Sequence, residues 1–265
     1  LKDICLIILP DEALYLLPLS FLGMSFNEPL ITKLGGVSIG LNLLAIKWSI
    51  SDFHWTTNVN MTQGSPRCTF FGSNGYPPLE LDSERRVILQ GFNPENFNCI
   101  GPTVTRDEFF KNFNGGEICW FSGHGSWDLS HQINDIPFPL SGPVFKDGIL
   151  TNWDLISASI WNFKPLWLTV MNCCVLGKSI LVGPNPLGFM SALHTVGCIA
   201  NISALWPIYD DAAISFAKNV SIEIKKNFKD KNFPRARSLS KAIENSIKET
   251  NSPWLFGPYT LWGIP

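Results

Sequence analysis

Two short segments decide the fold: residues 120–126, which read WFSGHGS, and residues 168–177, which read LTVMNCCVLG. Each is an apolar run that stops at a reactive side chain, His124 in the first segment and the pair Cys173 and Cys174 in the second. Because parallel strands end at a common edge of their sheet, such runs bring a histidine and a cysteine together. The pairing matters because cysteine is nucleophilic as the thiolate, and histidine, which titrates near neutral pH, is its usual partner.

The rest of the chain alternates apolar, strand-like runs with helix-like segments. Strands are predicted over residues 4–9, 35–39, 68–72, 117–122, 166–171, 197–203 and 259–263. Helices are predicted over residues 41–48, 80–90, 105–113, 186–195, 210–228 and 235–250, with a further helix starting at 151. Residues 129–143 are predicted to be a loop, and Asp147-Gly148 a hairpin turn. This alternation predicts an α/β fold with a mostly parallel sheet flanked by helices.

The composition is that of a well-buried globular protein. Of the 265 residues, 45% are hydrophobic and 16% are charged, which excludes a disordered chain, and we interpret residues 1–265 as a single domain. The net charge of −2 gives no basic surface for nucleic acid. Residues 179–209 carry no charged side chain, but glycines and prolines interrupt them, so a buried loop, helix and strand are predicted rather than a membrane span.

The cysteines favour a reducing compartment. The chain has seven, an odd number without C-x-x-C spacing, so a cytoplasmic location is expected. His194 and Cys198 have the spacing of two ligands on a helix, yet no second pair accompanies them, and no metal site and no cofactor are predicted. The chain opens at Leu1 rather than at a methionine, and we expect it to be the C-terminal part of a longer protein.

The spacing of the two reactive residues points to a peptidase. Cys174 follows His124 by 50 positions, the separation found in caspase-like proteases. In that arrangement the cysteine attacks a peptide carbonyl and the histidine moves the protons. The backbone amides of Gly125 and Cys174 are the predicted donors to the oxyanion. Cys173 is interpreted as a small core residue, and since no buried aspartate is evident as a third member, a Cys-His dyad is expected.

Six segments occur in the order of a known family's motifs: residues 6–19 (LIILPDEALYLLPL), 121–125 (FSGHG), 139–143 (PLSGP), 147–151 (DGILT), 171–177 (MNCCVLG) and 201–211 (NISALWPIYDD). With these motifs the chain resembles the CHAT domain, a caspase-like peptidase module related to separase. The resemblance covers nearly the whole chain and implies a caspase-like sheet. Aligned on the family's cysteine motif, the nucleophile is Cys174, and Val175 and Leu176 replace a polar pair.

The resemblance also implies a biological setting. The family cleaves dedicated protein substrates in regulated proteolysis, often in prokaryotic defence or cell death. Many members carry helical repeats, so an N-terminal helical-repeat regulatory region or a regulatory partner is expected, with no membrane and no direct nucleic acid contact. Asp210 and Asp211 follow the strand that, in separase-like relatives, borders the pocket for the residue before the cut, where acids would favour arginine or lysine. Alternatively, Asp210 or Asp211 caps the next helix.

Two other functions fit the sequence. One is a catalytically silent CHAT-like scaffold that recruits partner proteins, because a fold does not guarantee an activity. The other is an acyl-transfer or thiol hydrolase on a similar sheet, although no nucleophile elbow of the G-x-S-x-G kind supports it.

Overall fold

The computed structural model describes residues 2, 4–10, 14, 17–19, 22, 29–40, 66–73, 75, 78–114, 116–133, 136–137, 139–158, 166–182, 185–230 and 234–265. The helix predicted over residues 41–48 lies outside the described residues. The strands are β1 (Cys5–Ile8), β2 (Gly36–Ile39), β3 (Cys68–Ser73), β4 (Phe97–Ile100), β5 (Ile118–Gly123), β6 (Gly125–Asp128), β7 (Gln132–Ile133), β8 (Ile136–Pro137), β9 (Leu140–Phe145), β10 (Gly148–Ile149), β11 (Leu168–Asn172), β12 (Ile180–Val182), β13 (Asn185–Leu187), β14 (Ala200–Ala204) and β15 (Tyr259–Gly263). The helices are α1 (Leu30–Lys33), α2 (Leu81–Ile88), α3 (Arg106–Asn112), α4 (Asn152–Ala158), α5 (Phe189–Thr195), α6 (Asp210–Asn227) and α7 (Pro234–Thr250).

Eight strands form one sheet in the order β1-β2-β15-β14-β11-β5-β3-β4. Only the junction of β14 with β15 is antiparallel; every other neighbouring pair is parallel, which confirms the mostly parallel sheet. Strands β5 and β11 are adjacent near its centre, and every residue of both is buried. Two-sided burial explains why these strands read as continuous apolar runs rather than alternating ones.

Two apolar clusters cover the two faces of the sheet. Trp120 and Val170 belong to one cluster, which helices α2, α6 and α7 complete, whereas Phe121 and Met171 belong to the other, completed by α3, α4 and α5. Alternate residues of a strand point to opposite faces, so each central strand contributes to both layers.

The predicted start of a helix at Thr105 is confirmed. Glu108 N donates to Thr105 Oγ1 at 3.3 Å, and Thr105 N donates to Glu108 Oε2 at 2.8 Å. These reciprocal hydrogen bonds satisfy two backbone donors that a helix start would otherwise leave without a partner. The helix that begins here, α3, supplies Phe109 to the second apolar cluster.

The prediction of a loop over residues 129–143 is wrong. This region contains β7 and β8, and it enters β9, which pairs antiparallel with β6, placing Gly125 opposite Pro143. The segment contains three prolines in seven positions, Pro137, Pro139 and Pro143, which is typical of a loop. Pairing with β6, distant in sequence, stabilises its last part as a strand. The predicted hairpin is present, because β9 and β10 pair antiparallel, but its turn residues are Lys146 and Asp147, one position earlier than predicted, and Gly148 pairs with Phe145.

The described part of the chain shows neither a membrane-spanning helix nor a cluster of metal ligands. None of its helices is both long and apolar enough to cross a membrane. Within the same residues, no group of three or more His, Cys, Asp or Glu side chains is placed to hold a metal ion.

Candidate active site

The placement of the two predicted reactive residues follows from the pairing of β5 with β11. In the register of these strands, Ser122 lies opposite Asn172. His124 comes two residues after Ser122, and Cys174 comes two residues after Asn172. Because both strands run the same way, their carboxyl ends deliver the imidazole and the thiol to the same edge of the sheet.

Both residues line one pocket of about 240 Å³ at this edge. The described residues that line it are Leu79, Glu80, Glu84, Gly123, His124, Asn172, Cys173, Cys174, Ile208, Asp210, Ala213 and Ile214. Three of these are acidic, and none is lysine or arginine. The pocket therefore contains a candidate nucleophile, a candidate base and an acidic surface.

His124 is positioned by two backbone segments. Its carbonyl accepts a hydrogen bond from Val144 N of β9 at 2.9 Å. Gly75 lies against the imidazole ring, where an added Cβ would be only 2.6 Å from His124 Cδ2. A side chain at position 75 would displace the ring, so this glycine provides the space that the imidazole occupies.

The two cysteines differ in their access to solvent. Cys173 is only 1% exposed, and burial raises the pKa of its thiol well above the ordinary value, with further repulsion from Cys174 and Glu84. Cys174 is partly exposed, and Ile208 N donates to its sulfur at 3.4 Å. Cys174 is thus accessible from the pocket and has a backbone amide beside its sulfur, whereas Cys173 has the surroundings of a core residue.

A glycine is required at position 125 by the backbone of the cysteine segment. A Cβ at this position would be 2.0 Å from the carbonyl oxygen of Cys174, which no side chain could tolerate. The chain after His124 therefore passes directly over the residue that carries the candidate nucleophile. This contact places the backbone of Gly125 beside that of Cys174, although Gly125, unlike Cys174, is not among the described residues that line the pocket.

Val175 adopts a left-handed backbone conformation, with φ of 60°. This region is unfavourable for a β-branched residue because Cβ comes too close to the following carbonyl. Val175 comes directly after Cys174, so the strain lies at the sharp turn where β11 presents its thiol.

A buried carboxyl group connects the ends of β5 and β11. Oε1 of Glu84, on α2, accepts a hydrogen bond from Ser122 Oγ and another from Asn172 Nδ2, the latter at 2.6 Å. Trp120 Nε1 donates to Ser122 Oγ at 3.2 Å, and Tyr259 OH donates to Asn172 Oδ1 at 2.7 Å. The network therefore spans β5, β11, β15 and α2, next to the two reactive residues.

The surroundings of Glu84 favour its neutral form. Burial raises the pKa of its carboxyl to about 7, and nearby Asp210 adds to the rise, although the hydrogen bonds from Ser122, Asn172 and Trp120 oppose it. Glu84 is 6% exposed. Near neutral pH this carboxyl therefore exists in both protonation states.

The two predicted acidic residues have different positions. Both are exposed, but Asp210 lines the pocket, whereas Asp211 is not among the lining residues that the structure describes. The alternative prediction that one of them caps the helix is wrong: the N-cap of α6 is Tyr209, and both aspartates lie in the first turn. There they lie at the positive end of the helix dipole without accepting the cap hydrogen bond.

His194 and Cys198 are not among the residues that line this pocket. Cys198 is 2% exposed, and burial lowers the pKa of His194 to about 4, so its imidazole is neutral at physiological pH.

Sequence reasoning does not identify Glu84, Ser122, Asn172 or Gly75 as part of the site. Ser122 and Asn172 do carry a signal, since each is a polar residue two positions before a reactive one in an otherwise apolar run. Glu84 shares the buried face of α2 with Leu81 and Ile88. An acid on an apolar helical stripe is a sign of a buried carboxyl.

We predict that Glu84→Gln reduces the loss of stability between pH 5 and pH 8. In the wild type the unfolded carboxyl, with a pKa of 4.5, loses its proton before the folded one at about 7. The free energy of unfolding therefore falls as pH rises through this window, by on the order of 3 kcal/mol. Glutamine keeps an acceptor but cannot ionise. Urea denaturation of both proteins at pH 5 and 8 measures the difference, and parallel pH dependences would contradict the prediction.

We predict that Val175→Gly raises the free energy of unfolding by about 1 kcal/mol. Glycine adopts the left-handed conformation without the Cβ clash, and this gain exceeds the added flexibility of its unfolded chain. Asn251→Gly is the matched control, because Asn251 has φ of 54° but asparagine tolerates this region. Urea denaturation at one pH compares the two changes; an equal or smaller gain at Val175 would show that the turn is unstrained.

Comparisons with known proteins agree with this architecture. A structure of the Saccharomyces cerevisiae separase–securin complex contains a chain that is similar over 95% of this protein, with a TM-score of 0.63 and 12% identity. The Arg-specific cysteine proteinase gingipain R of Porphyromonas gingivalis is similar over 97% of it, with a TM-score of 0.62 and 14% identity. This protein spans 15% of the first chain and 59% of the second.

At these identities the likeness shows the fold alone, which is that of the caspase-like cysteine proteases. Comparison with curated protein sequences gives no match. The sequence model of the CHAT domain family matches residues 3–262. The chain belongs to the CHAT domain family.

Proposed function

We propose that this protein is a cysteine endopeptidase in which Cys174 is the nucleophile and His124 the acid and base. The observation that carries the proposal is the delivery of both residues into one pocket by adjacent parallel strands. The partial exposure of Cys174 and the amide of Ile208 beside its sulfur support it. Membership of a family with a caspase-like peptidase fold gives independent support.

In the acylation step, the thiolate of Cys174 attacks the carbonyl carbon of the scissile peptide bond. The carbonyl oxygen becomes an oxyanion, to which the amides of Gly125 and Cys174 donate. The tetrahedral intermediate then collapses: the C–N bond breaks, and His124 as imidazolium gives its proton to the leaving amine. The product is a thioester between Cys174 and the new carboxyl end of the substrate.

In the deacylation step, neutral His124 takes a proton from a water molecule that attacks the thioester carbonyl. The same amides stabilise the second oxyanion, and the C–S bond breaks to release a carboxylic acid. Cys174 leaves as the thiolate beside the protonated His124, which restores the starting state. A Cys-His dyad suffices for these two reaction steps, because the histidine acts as the acid in acylation and as the base in deacylation.

The pocket favours a basic side chain before the cut. Asp210 lines it together with Glu80 and Glu84, and the described lining residues include no positively charged lysine or arginine to compete. A guanidinium or ammonium group would interact favourably with this acidic surface. We assign the direct contact to Asp210; Asp211, also expected to bind substrate, would act from the exposed side of the first turn of α6.

The substrate is proposed to be a dedicated protein, and activity to depend on a regulatory region or partner. The similar yeast chain comes from a complex of separase with securin, which is a precedent for a protein partner on this fold. For this chain, a helical-repeat region in the longer protein would serve as the regulator. Regulated proteolysis in prokaryotic defence or cell death, in the cytoplasm, is the proposed setting, and it rests on the family alone.

We predict covalent labelling of Cys174 by peptidyl acyloxymethyl ketones, which react with an activated active-site thiolate. Intact mass and peptide mapping measure it in the wild type, Cys174→Ala, Cys173→Ala and His124→Ala, each with and without any activating partner. Labelling should survive in Cys173→Ala, whose thiol is buried in the wild type, and disappear in the other two variants. A folded wild type that is never labelled would contradict the peptidase and favour the scaffold.

We predict that Asp210→Asn lowers kcat/KM for a peptide with arginine before the cut by roughly tenfold, about 1.4 kcal/mol. Asp210 is exposed at the pocket surface, so a loss larger than this is not expected. The matched peptide with citrulline, which has the same shape without the charge, should be affected by less than roughly threefold. Asp211→Asn is the neighbouring control. Equal effects of Asp210→Asn on both peptides would show that this aspartate does not select a charge.

A further inference from the structure

The position of Glu84 on α2 is unusual for a carboxyl group. It belongs to the buried face of the helix, between Leu81 and Ile88, and among the described residues no lysine or arginine forms an ion pair with it. Ionisable groups are seldom buried without a counter-charge, because desolvation of the charged form is unfavourable. An apolar residue would serve better in a packing role alone, so the carboxyl itself requires an explanation.

The hydrogen bonds of Glu84 provide one. Its Oε1 accepts from Ser122 Oγ and from Asn172 Nδ2, and these two residues lie opposite each other in the register of β5 and β11. Each donor lies two residues before a reactive side chain, Ser122 before His124 and Asn172 before Cys174. One oxygen atom of Glu84 therefore accepts hydrogen bonds from both strand ends, just before the residues that provide the imidazole and the thiol.

The far side of the network is also fixed. Asn172 Nδ2 donates to the carbonyl of Ala213 on α6 at 3.2 Å, and Asn172 Oδ1 accepts from Tyr259 OH. Because both the Nδ2 and the Oδ1 of Asn172 form hydrogen bonds, its side chain has one orientation. In that orientation the Nδ2 donor, not the Oδ1 acceptor, faces Glu84. Loss of the carboxyl would leave buried donors on Ser122 and Asn172 without this acceptor.

We propose that Glu84 is a positioning residue whose carboxyl holds the ends of β5 and β11 in register and whose charge acts on the thiol of Cys174. This inference rests on the proposed peptidase function, because it gives Glu84 a role in that active site. Glu84 acts through Ser122 and Asn172, which precede the reactive residues, and through the shared pocket that it lines.

Titratable groups face Glu84 from several of the elements packed around it. They are Glu80, His124, Cys173, Cys174, Asp210 and Tyr259. A negative charge on Glu84 opposes a second negative charge on Cys174 and favours a positive charge on His124. Neutral Glu84 keeps its hydrogen bonds without this repulsion. Ionisation of Glu84 would therefore slow the reaction of Cys174 with electrophiles.

The charge effect is tested by alkylation of Cys174 with iodoacetamide, a small uncharged reagent, between about pH 5.5 and 9. The His124→Ala background is used because the imidazolium would respond to Glu84 in the opposite direction. Below roughly pH 6, where Glu84 is protonated, the alkylation rate of the Glu84→Gln variant should be within about twofold of the rate of the His124→Ala parent. At about pH 7.5 to 8.5 the variant should react at least roughly threefold faster, because the repelling charge is gone. Peptide mapping assigns the alkylated cysteine.

Glu117→Gln is the matched control. Glu117 is equally buried, lies just before β5 at its opposite end, and pairs with Arg67 at 3.0 Å. Its substitution should lower stability without changing the pH dependence of alkylation. Rates for Glu84→Gln that differ from the parent by the same factor at every pH, or that do not differ at all, would overturn the charge coupling.

The positioning role is tested by acyloxymethyl ketone labelling at about pH 6 with His124 intact. Glu84→Gln retains an acceptor and should be labelled within roughly threefold of the wild type, whereas Glu84→Ala should be labelled at least about tenfold more slowly. Equal rates for both variants would overturn positioning, and if Glu84→Ala does not fold, Ser122→Ala replaces it. Absence of labelling in the wild type would refute the peptidase instead, while the iodoacetamide experiment would still decide the charge coupling.

Discussion

The pairing of β5 with β11 is the constraint on which the candidate site depends. Every residue of both strands is buried, so a slip by one position would turn their apolar side chains away from the layers they fill. The correct register also places Ser122 opposite Asn172, where one carboxyl oxygen of Glu84 accepts from both. Hydrophobic burial fixes the strands along their length, and the buried hydrogen bonds connect their ends, from which the chain leads to His124 and Cys174.

Strands β5 and β11 and the reactive residues after them are largely predictable from sequence, because the patterns that indicate them are local. An apolar run that stops at Gly-His-Gly, and another that stops at Cys-Cys, each define a buried strand and the end from which a reactive residue projects. The capping box at Thr105 and the hairpin signal at Asp147-Gly148 are equally local. The capping box is present, and the hairpin is present with its turn one residue earlier, at Lys146-Asp147. The parallel pairing of β5 and β11 then follows from the rule that buried, two-sided strands belong to parallel sheets.

The features that sequence reasoning misses depend on partners distant in sequence. Strand β9 is stabilised by β6, whereas Pro137 and Pro139, which come just before it, predict a loop. Asp210 and Asp211 are indistinguishable as sequence, and only the start of α6 after Tyr209 places one of them at the pocket. The role of Glu84 depends on two donors that lie 38 and 88 residues further along the chain. No local pattern indicates contacts of this range.

The site is also defined by how closely its backbone segments approach one another. Gly125 passes over the carbonyl of Cys174, Gly75 lies against the ring of His124, and Val175 holds a strained turn directly after the thiol. None of these three residues has a side chain that takes part in the proposed chemistry. They determine where the imidazole, the thiol and the amide donors lie, and preorganised positions of this kind are what lower the barrier of an acyl-transfer reaction. The reactive pair therefore depends on the backbone geometry of its neighbours as much as on its own two side chains.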